Sequence, residues 1–146
     1  MATGASGTKA QRAYWLLKTE PGCYSYDDLV KEGKTLWDGV TNNLALKHIR
    51  QIKKGDGLVI YHTGDEKAVV GLAEATADPH PDPKADDPKL AVVELKPKKR
   101  AKRSVSLAEI KQLPEFKESP LVRMARLSVV PLSQPEWRKL ENLAGF

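Results

Sequence analysis

A chain of 146 residues, 40% hydrophobic and 29% charged, has the make-up of one folded domain with a substantial core. No apolar run approaches the roughly 20 residues that cross a bilayer, and the first 13 residues lack the apolar stretch of a secretory signal. The net charge of +5 is misleading as a global number, and the single cysteine, Cys23, leaves no internal disulfide and no Cys-based zinc site. One cysteine fits a reducing compartment, so the chain reads as intracellular: cytoplasmic, or nuclear in a eukaryote.

Residues 1–13 are rich in Gly, Ser, Thr and Ala and read as a disordered tail ahead of a single domain at 14–146. Tyr14-Trp15-Leu16-Leu17-Lys18-Thr19 is a central strand, stopped by a turn at Pro21-Gly22. A short helix follows, with Ser25 as N-cap, Asp28 at its third position and Gly33 as its stop. The next polar stretch, Trp37-Asp38-Gly39-Val40-Thr41-Asn42-Asn43, suits a pocket that stacks on a flat ring and hydrogen-bonds its edge, as proteins hold an extruded base. It equally suits a loop leading into a helix, with Trp37 covering the core and the Asn residues as caps. In the pocket reading, Trp37 can be removed without unfolding the chain.

A helix over 42–51 comes next, with Ala45, Ile49 and Ile52 inward. Strands at 57–62 and 68–77 are joined by a hairpin connection, Thr63-Gly64-Asp65-Glu66. Residues 78–88 carry four Pro and four Asp and read as a loop. Asp78, His80 and Asp82 are metal-ligand types, but the Pro-rich setting favours an irregular loop, and no H-E-x-x-H or Cys cluster is present. A strand at 89–95 then leads into Lys96, Lys98, Lys99, Arg100, Lys102 and Arg103. Setting aside these six bases and the tail's Lys9 and Arg12, 16 bases face 19 acids. The basicity is therefore local, as a phosphate contact requires, or as a solvated hairpin displays. Ser106-Leu107-Ala108-Glu109 is an S-x-x-E box opening a short helix to Leu113, and 114–120 is a connection. A strand over 127–132 precedes a second box, Ser133-Gln134-Pro135-Glu136, which opens a terminal helix with Trp137, Leu140 and Leu143 inward. Five or six mostly antiparallel strands with short helices give an α+β chain, a small twisted barrel with helices over its ends.

Three further groups carry polar chemistry. Lys18-Thr19-Glu20 ends the first strand. There the Thr19 hydroxyl and Glu20 carboxylate can read donors on a base edge, or simply finish a strand before a turn. Tyr61 and His62 close another strand, as a stacking ring and a hydrogen-bonding imidazole, or as ordinary strand-end side chains. Arg126 neutralises a phosphate, pairs with a pocket carboxylate, or sits exposed at a strand start. No G-x-S-x-G, P-loop or G-x-G-x-x-G is present.

Taken in order, WLLKTEP (15–21), WDGV (37–40) with Asn42, YHT (61–63) before VVGLAE (69–74), and RLSVVPL (126–132) resemble an EVE domain across about 14–143. The resemblance implies the PUA-like fold, a pseudo-barrel related to YTH and ASCH domains. It implies binding of nucleic acid, DNA or RNA, that carries a modified base, including modified cytosine. It places a pocket on Thr19, Glu20, Trp37, Asp38, Val40, Asn42, Tyr61 and His62, with phosphate contacts expected from Lys98, Lys99, Arg100, Lys102 and Arg126. Thr41 departs from the Arg often found there in the family. The expected protein is a monomer that works without cofactor, metal or membrane and has no catalytic residue. The alternative is an ASCH-like hydrolase of a modified nucleoside, with Lys18, Thr19 and Glu20 supplying the chemistry.

Overall fold

The structure is a computed structural model and describes residues 12–146. The expected tail therefore falls, as far as residue 11, outside the described residues. Ala13, assigned to that tail, donates its backbone N–H to Asp56 (3.2 Å) and accepts from Gly57 (3.0 Å).

Strand β1, Tyr14–Thr19, is apolar on both faces because it runs between two neighbours and under helices. It lies parallel to β3, Gly57–His62, and antiparallel to β7, Val129–Leu132. Strand β4, Ala68–Ala75, returns antiparallel beside β3 and pairs in turn with β6, Ala91–Ser106. Strand β2, Thr35–Trp37, adds to the far side of β6. The order β2-β6-β4-β3-β1-β7 makes a curled half-barrel of six strands, with the two-residue β5, His80–Pro81, hanging on β6. One parallel pair among antiparallel ones matches the expected mostly antiparallel α+β architecture.

Helices cover the sheet as the sequence patterns require. Helix α1, Tyr26–Glu32, has both halves of its capping box at Ser25 and Asp28 and stops at Gly33, whose φ is 78°. Tyr26 lies flat on β4, where Gly71 leaves room that a Cβ would fill, and its hydroxyl donates to the Leu72 carbonyl (2.8 Å). Helix α2, Asn43–Gln51, is capped by the Asn42 side chain, which accepts from the Ala45 N–H (3.0 Å) and buries Ala45, Leu46 and Ile49. That cap is worth about 1 kcal/mol. Helix α3, Leu107–Lys111, and a 3-10 turn, Pro114–Phe116, lead to the single turn α4, Pro120–Arg123. Helix α5, Gln134–Ala144, lays Trp137 on the Tyr14 ring, with centroids 4.0 Å apart and planes 7° from parallel. Buried Asp56 accepts from the Trp15 indole (3.0 Å) and from the Lys53 (2.9 Å) and Ala13 backbone N–H groups, so its charge is well solvated by protein.

Two expectations change here. Trp37 is not a loop side chain. It ends β2 opposite Val93, is 8% exposed and belongs to the main core. The basic run is not a hairpin or loop but the middle of the 16-residue β6. Pro97 is accommodated there because the register with β4 shifts between Leu72 and Ala73, a bulge where a ladder N–H is not needed. The run's acids are brought by other elements. Lys98 pairs with Glu74 (3.1 Å) and Arg100 with Asp27 (2.6 Å), while Arg103 makes a two-pronged contact with Glu109 (2.8 and 2.9 Å). Glu109 therefore serves Arg103, although the Ser106 side chain caps α3 as its sequence suggests.

Candidate functional site

Strands β2 and β7 are the two ends of the sheet, and between them, beside the C-terminal end of β1, lies a cleft of about 710 Å³. That volume is within the range of sites for small organic groups, about 300–1,000 Å³. One side is β2 and the loop after it, Thr35 to Asn42; the other is Lys18, Thr19 and Glu20 with Arg126 and Ser128, and Lys84 reaches in from the loop before β6. The Lys18 N–H donates to the Ser128 carbonyl (2.9 Å), extending the β1–β7 pairing along this wall.

The β2 side owes its shape to sequence. Gly39 turns the chain at φ 78°, a left-handed conformation that side-chain-bearing residues seldom adopt. Val40 packs inward at 9% exposure, and Asn42 begins α2. The loop thus has the structure of a helix lead-in with a core Trp and an Asn cap, and the same residues line the cleft. Tyr24 meets Trp37 edge-on, with centroids 6.1 Å apart at 83°. Burial, and then the Glu32 carboxylate that accepts its hydroxyl proton, push the Tyr24 phenol up to about 12, so it stays neutral.

On the opposite side, the Thr19 hydroxyl donates to the Tyr24 carbonyl (2.6 Å), and the Cys23 and Tyr24 N–H groups donate to the Glu20 carbonyl (2.9 and 2.8 Å). These bonds hold the turn after β1 against the strand. Lys18 donates to the Ala125 carbonyl (2.8 Å), and its partial burial lowers its pKa from the ordinary value. Glu20 and Asp38 are exposed, and among the described residues their carboxylates make no hydrogen bond or ion pair with another side chain. The cleft is therefore lined by two acidic residues (Glu20, whose carboxylate lies against Gly64 of the β3–β4 connection, and Asp38), three cationic ones (Lys18, Lys84, Arg126), five with hydroxyls (Thr19, Tyr24, Thr35, Thr41, Ser128) and Trp37.

Of the residues singled out from sequence, Thr19, Glu20, Trp37, Asp38, Val40, Asn42 and Arg126 come together around this one cleft. Tyr61 and His62 do not line it. Tyr61 is 3% exposed under the Lys18 ammonium, which sits 5.6 Å from its ring centre. His62 accepts the Tyr26 N–H at Nε2 (3.0 Å) and faces Glu66 through Nδ1 (2.8 Å), so it anchors the start of α1. No residue of the 96–103 run lines the cleft. Tyr24, Thr35, Lys84 and Ser128 were not singled out. Lys84 lies in the Pro/Asp-rich loop, where nothing in the sequence marks it. Tyr24 follows the turn after β1, and an aromatic beside Pro-Gly is the signal that points to it. Lys18 and Thr19 hydrogen-bond to different carbonyls rather than to each other. Among the described residues no helix is long and apolar enough to cross a membrane.

The EVE domain family model matches residues 13–143. Human thymocyte nuclear protein 1 is 33% identical over 159 residues, covering 86% of this chain and 71% of that protein. A crystal structure of a protein from Agrobacterium tumefaciens superposes with a TM-score of 0.88 at 33% identity, over 92% of this chain and 94% of that one. The crystal structure of human THYN1 protein in complex with 5-methylcytosine-containing DNA superposes with a TM-score of 0.77 at 28% identity, over 92% and 98%. An ASCH protein from Zymomonas mobilis shares the fold at 13% identity and a TM-score of 0.56, covering 89% and 94%.

Proposed function

We propose that this chain, which belongs to the EVE domain family, binds nucleic acid by holding a modified base in the cleft between β2 and β7, with modified cytosine in DNA the ligand that the lining fits best. The observation that carries the reading is the pair of carboxylates, Glu20 and Asp38, that are without side-chain partners among the described residues, beside the Tyr24–Trp37 wall. Carboxylates accept from the exocyclic amine of cytosine, and an aromatic wall contacts the ring. The relative bound to 5-methylcytosine-containing DNA supports the same ligand class. Val40 and Leu36 offer apolar surface to a ring substituent, and one methyl adds about 1–3 kcal/mol of discrimination. Arg126 and Lys84 face the sugar–phosphate side. The unit that acts is the single domain at 14–146, and no step of bond making is assigned to it. A hydrolase would need Lys18 to activate the Thr19 hydroxyl, and that hydroxyl spends its proton on the Tyr24 carbonyl instead.

The test is calorimetric titration of the protein with two DNA duplexes that differ in a single 5-methylcytosine. The methylated duplex is expected to bind roughly tenfold or more tightly. Equal affinities would sink the reading, and turnover of an acylated cytidine by the purified protein would replace it with the hydrolase.

Phosphate contacts are a separate device that positions without specifying. Lys98, Lys99, Arg100 and Lys102 are the proposed contacts on β6. Lys98 and Arg100 are already paired with acids, so Lys99 and Lys102 carry more of the effect. Replacing Lys99 and Lys102 by Gln should flatten the slope of log affinity against log salt by about 1.8 on duplex, at about 0.9 per phosphate. Replacing Lys98 and Arg100 should flatten it less. An unaltered slope in all four variants would leave the run as a structural strand alone.

A further inference from the structure

Beside the cleft lies a second, smaller groove of about 320 Å³, lined by Asn42, Leu44, Met124, Ala125, Arg126 and Leu127. Two of these, Asn42 and Arg126, also line the cleft, so the two volumes adjoin at these residues. Their chemistry differs. The cleft offers hydrogen-bonding edges, whereas the groove is walled by Leu44, Met124, Ala125 and Leu127. Met124 is 45% exposed and is one of two large apolar side chains that stand open to solvent among the described residues.

The wall is fixed by backbone. The Met124 N–H donates to the Pro120 carbonyl (2.7 Å), and its own carbonyl accepts from Leu127 (3.0 Å). The Ala125 carbonyl accepts from Lys18, which ties this turn to the cleft wall. None of these bonds uses the Met124 side chain, so it can be exchanged without cutting them.

We infer that the groove is a second nucleotide subsite: it takes the flat face of the base next to the one held in the cleft, while Arg126, which borders both volumes, contacts the phosphate that joins the two nucleotides. The inference rests on the base-holding reading of the cleft. An apolar wall grips any base by its face and reads no edge, so the second position is expected to be indifferent to base identity. Arg126, a cation that lines both volumes, supplies the charge complementarity that a dinucleotide, rather than an apolar peptide, requires.

The test compares 5-methyldeoxycytidine 3′- and 5′-monophosphates with dinucleotides carrying one deoxyadenosine on the 3′ or the 5′ side. Each monophosphate already supplies the charge, so any gain in its dinucleotide reports the second base. One of the two orders is expected to bind on the order of tenfold more tightly than its monophosphate. Met124→Ser should abolish that gain while leaving the monophosphate affinity unchanged, and Met124→Leu should keep it. A thymidine in place of the adenosine should retain most of the gain. The subsite is overturned if monophosphate binds and neither dinucleotide gains, if both orders gain equally, or if Met124→Ser leaves the gain intact. If neither monophosphate nor dinucleotide binds, the base-holding reading falls and the subsite with it.

Discussion

Trp37→Ala is expected to cost about 3–5 kcal/mol of stability and to remove base binding along with it. The indole ends β2, faces Val93 across the ladder and is almost wholly inside the core, so alanine leaves a cavity that the curled sheet cannot collapse to fill. Loss of β2's anchor also frees the loop from Asp38 to Asn42, which makes one side of the cleft. Trp37→Phe separates the two effects. It keeps most of the packing and shortens the wall that Tyr24 abuts, so it should fold with a modest loss and bind more weakly. Urea denaturation read by tryptophan fluorescence, with Trp15 and Trp137 as the remaining reporters, gives the first quantity, and calorimetry with the monophosphate gives the second. A wild-type denaturation midpoint for Trp37→Ala would show that the indole is not a core residue.

The second large effect is on binding alone. Glu20→Gln and Asp38→Asn each should weaken binding of the modified nucleotide by roughly ten- to a hundredfold, the range of about 1.5–3 kcal/mol for a hydrogen bond to a charged group. Both side chains are exposed and unpartnered among the described residues, so stability should move by no more than about 0.5 kcal/mol. The amides keep size and one acceptor, so a loss reports the charge. Unchanged affinity in either variant removes that carboxylate from the site.

Much of this arrangement is legible in residues. Apolar runs such as Leu16-Leu17 and Val59-Ile60 announce strands buried on both faces, and both S-x-x-E boxes begin helices. The parts that are not legible share a cause: their structure is set by partners far away in sequence. Strand β2 is three residues long and exists because β6 lies beside it. The basic middle of β6 has no apolar alternation to read, because its bases are balanced by Glu74, Asp27 and Glu109 from three other elements. Tyr61 and His62 have the residue types of a pocket, yet Lys18 covers one and the start of α1 takes the other. Trp37 belongs to the core and Asn42 caps a helix while both also line the cleft, since the core face and the cleft face belong to the same short segment.

The pairing of β1 with both β3 and β7 has a consequence for how the protein is made. Tyr14 lies opposite Gly57 on one side and Leu132 on the other, so the first strand of the described domain has its last as a partner. Until β7 is made, one edge of β1 stands open, with apolar side chains and unpaired backbone groups, which is the kind of surface that recruits a wrong strand. Arg126 and Ser128 immediately precede that closing strand, so the domain has no complete cleft until this segment is made. Contacts that span nearly the whole sequence also delay folding, because the loop between them must be closed before they contribute. A chain interrupted before β7 is therefore not a weaker binder but a sticky fragment.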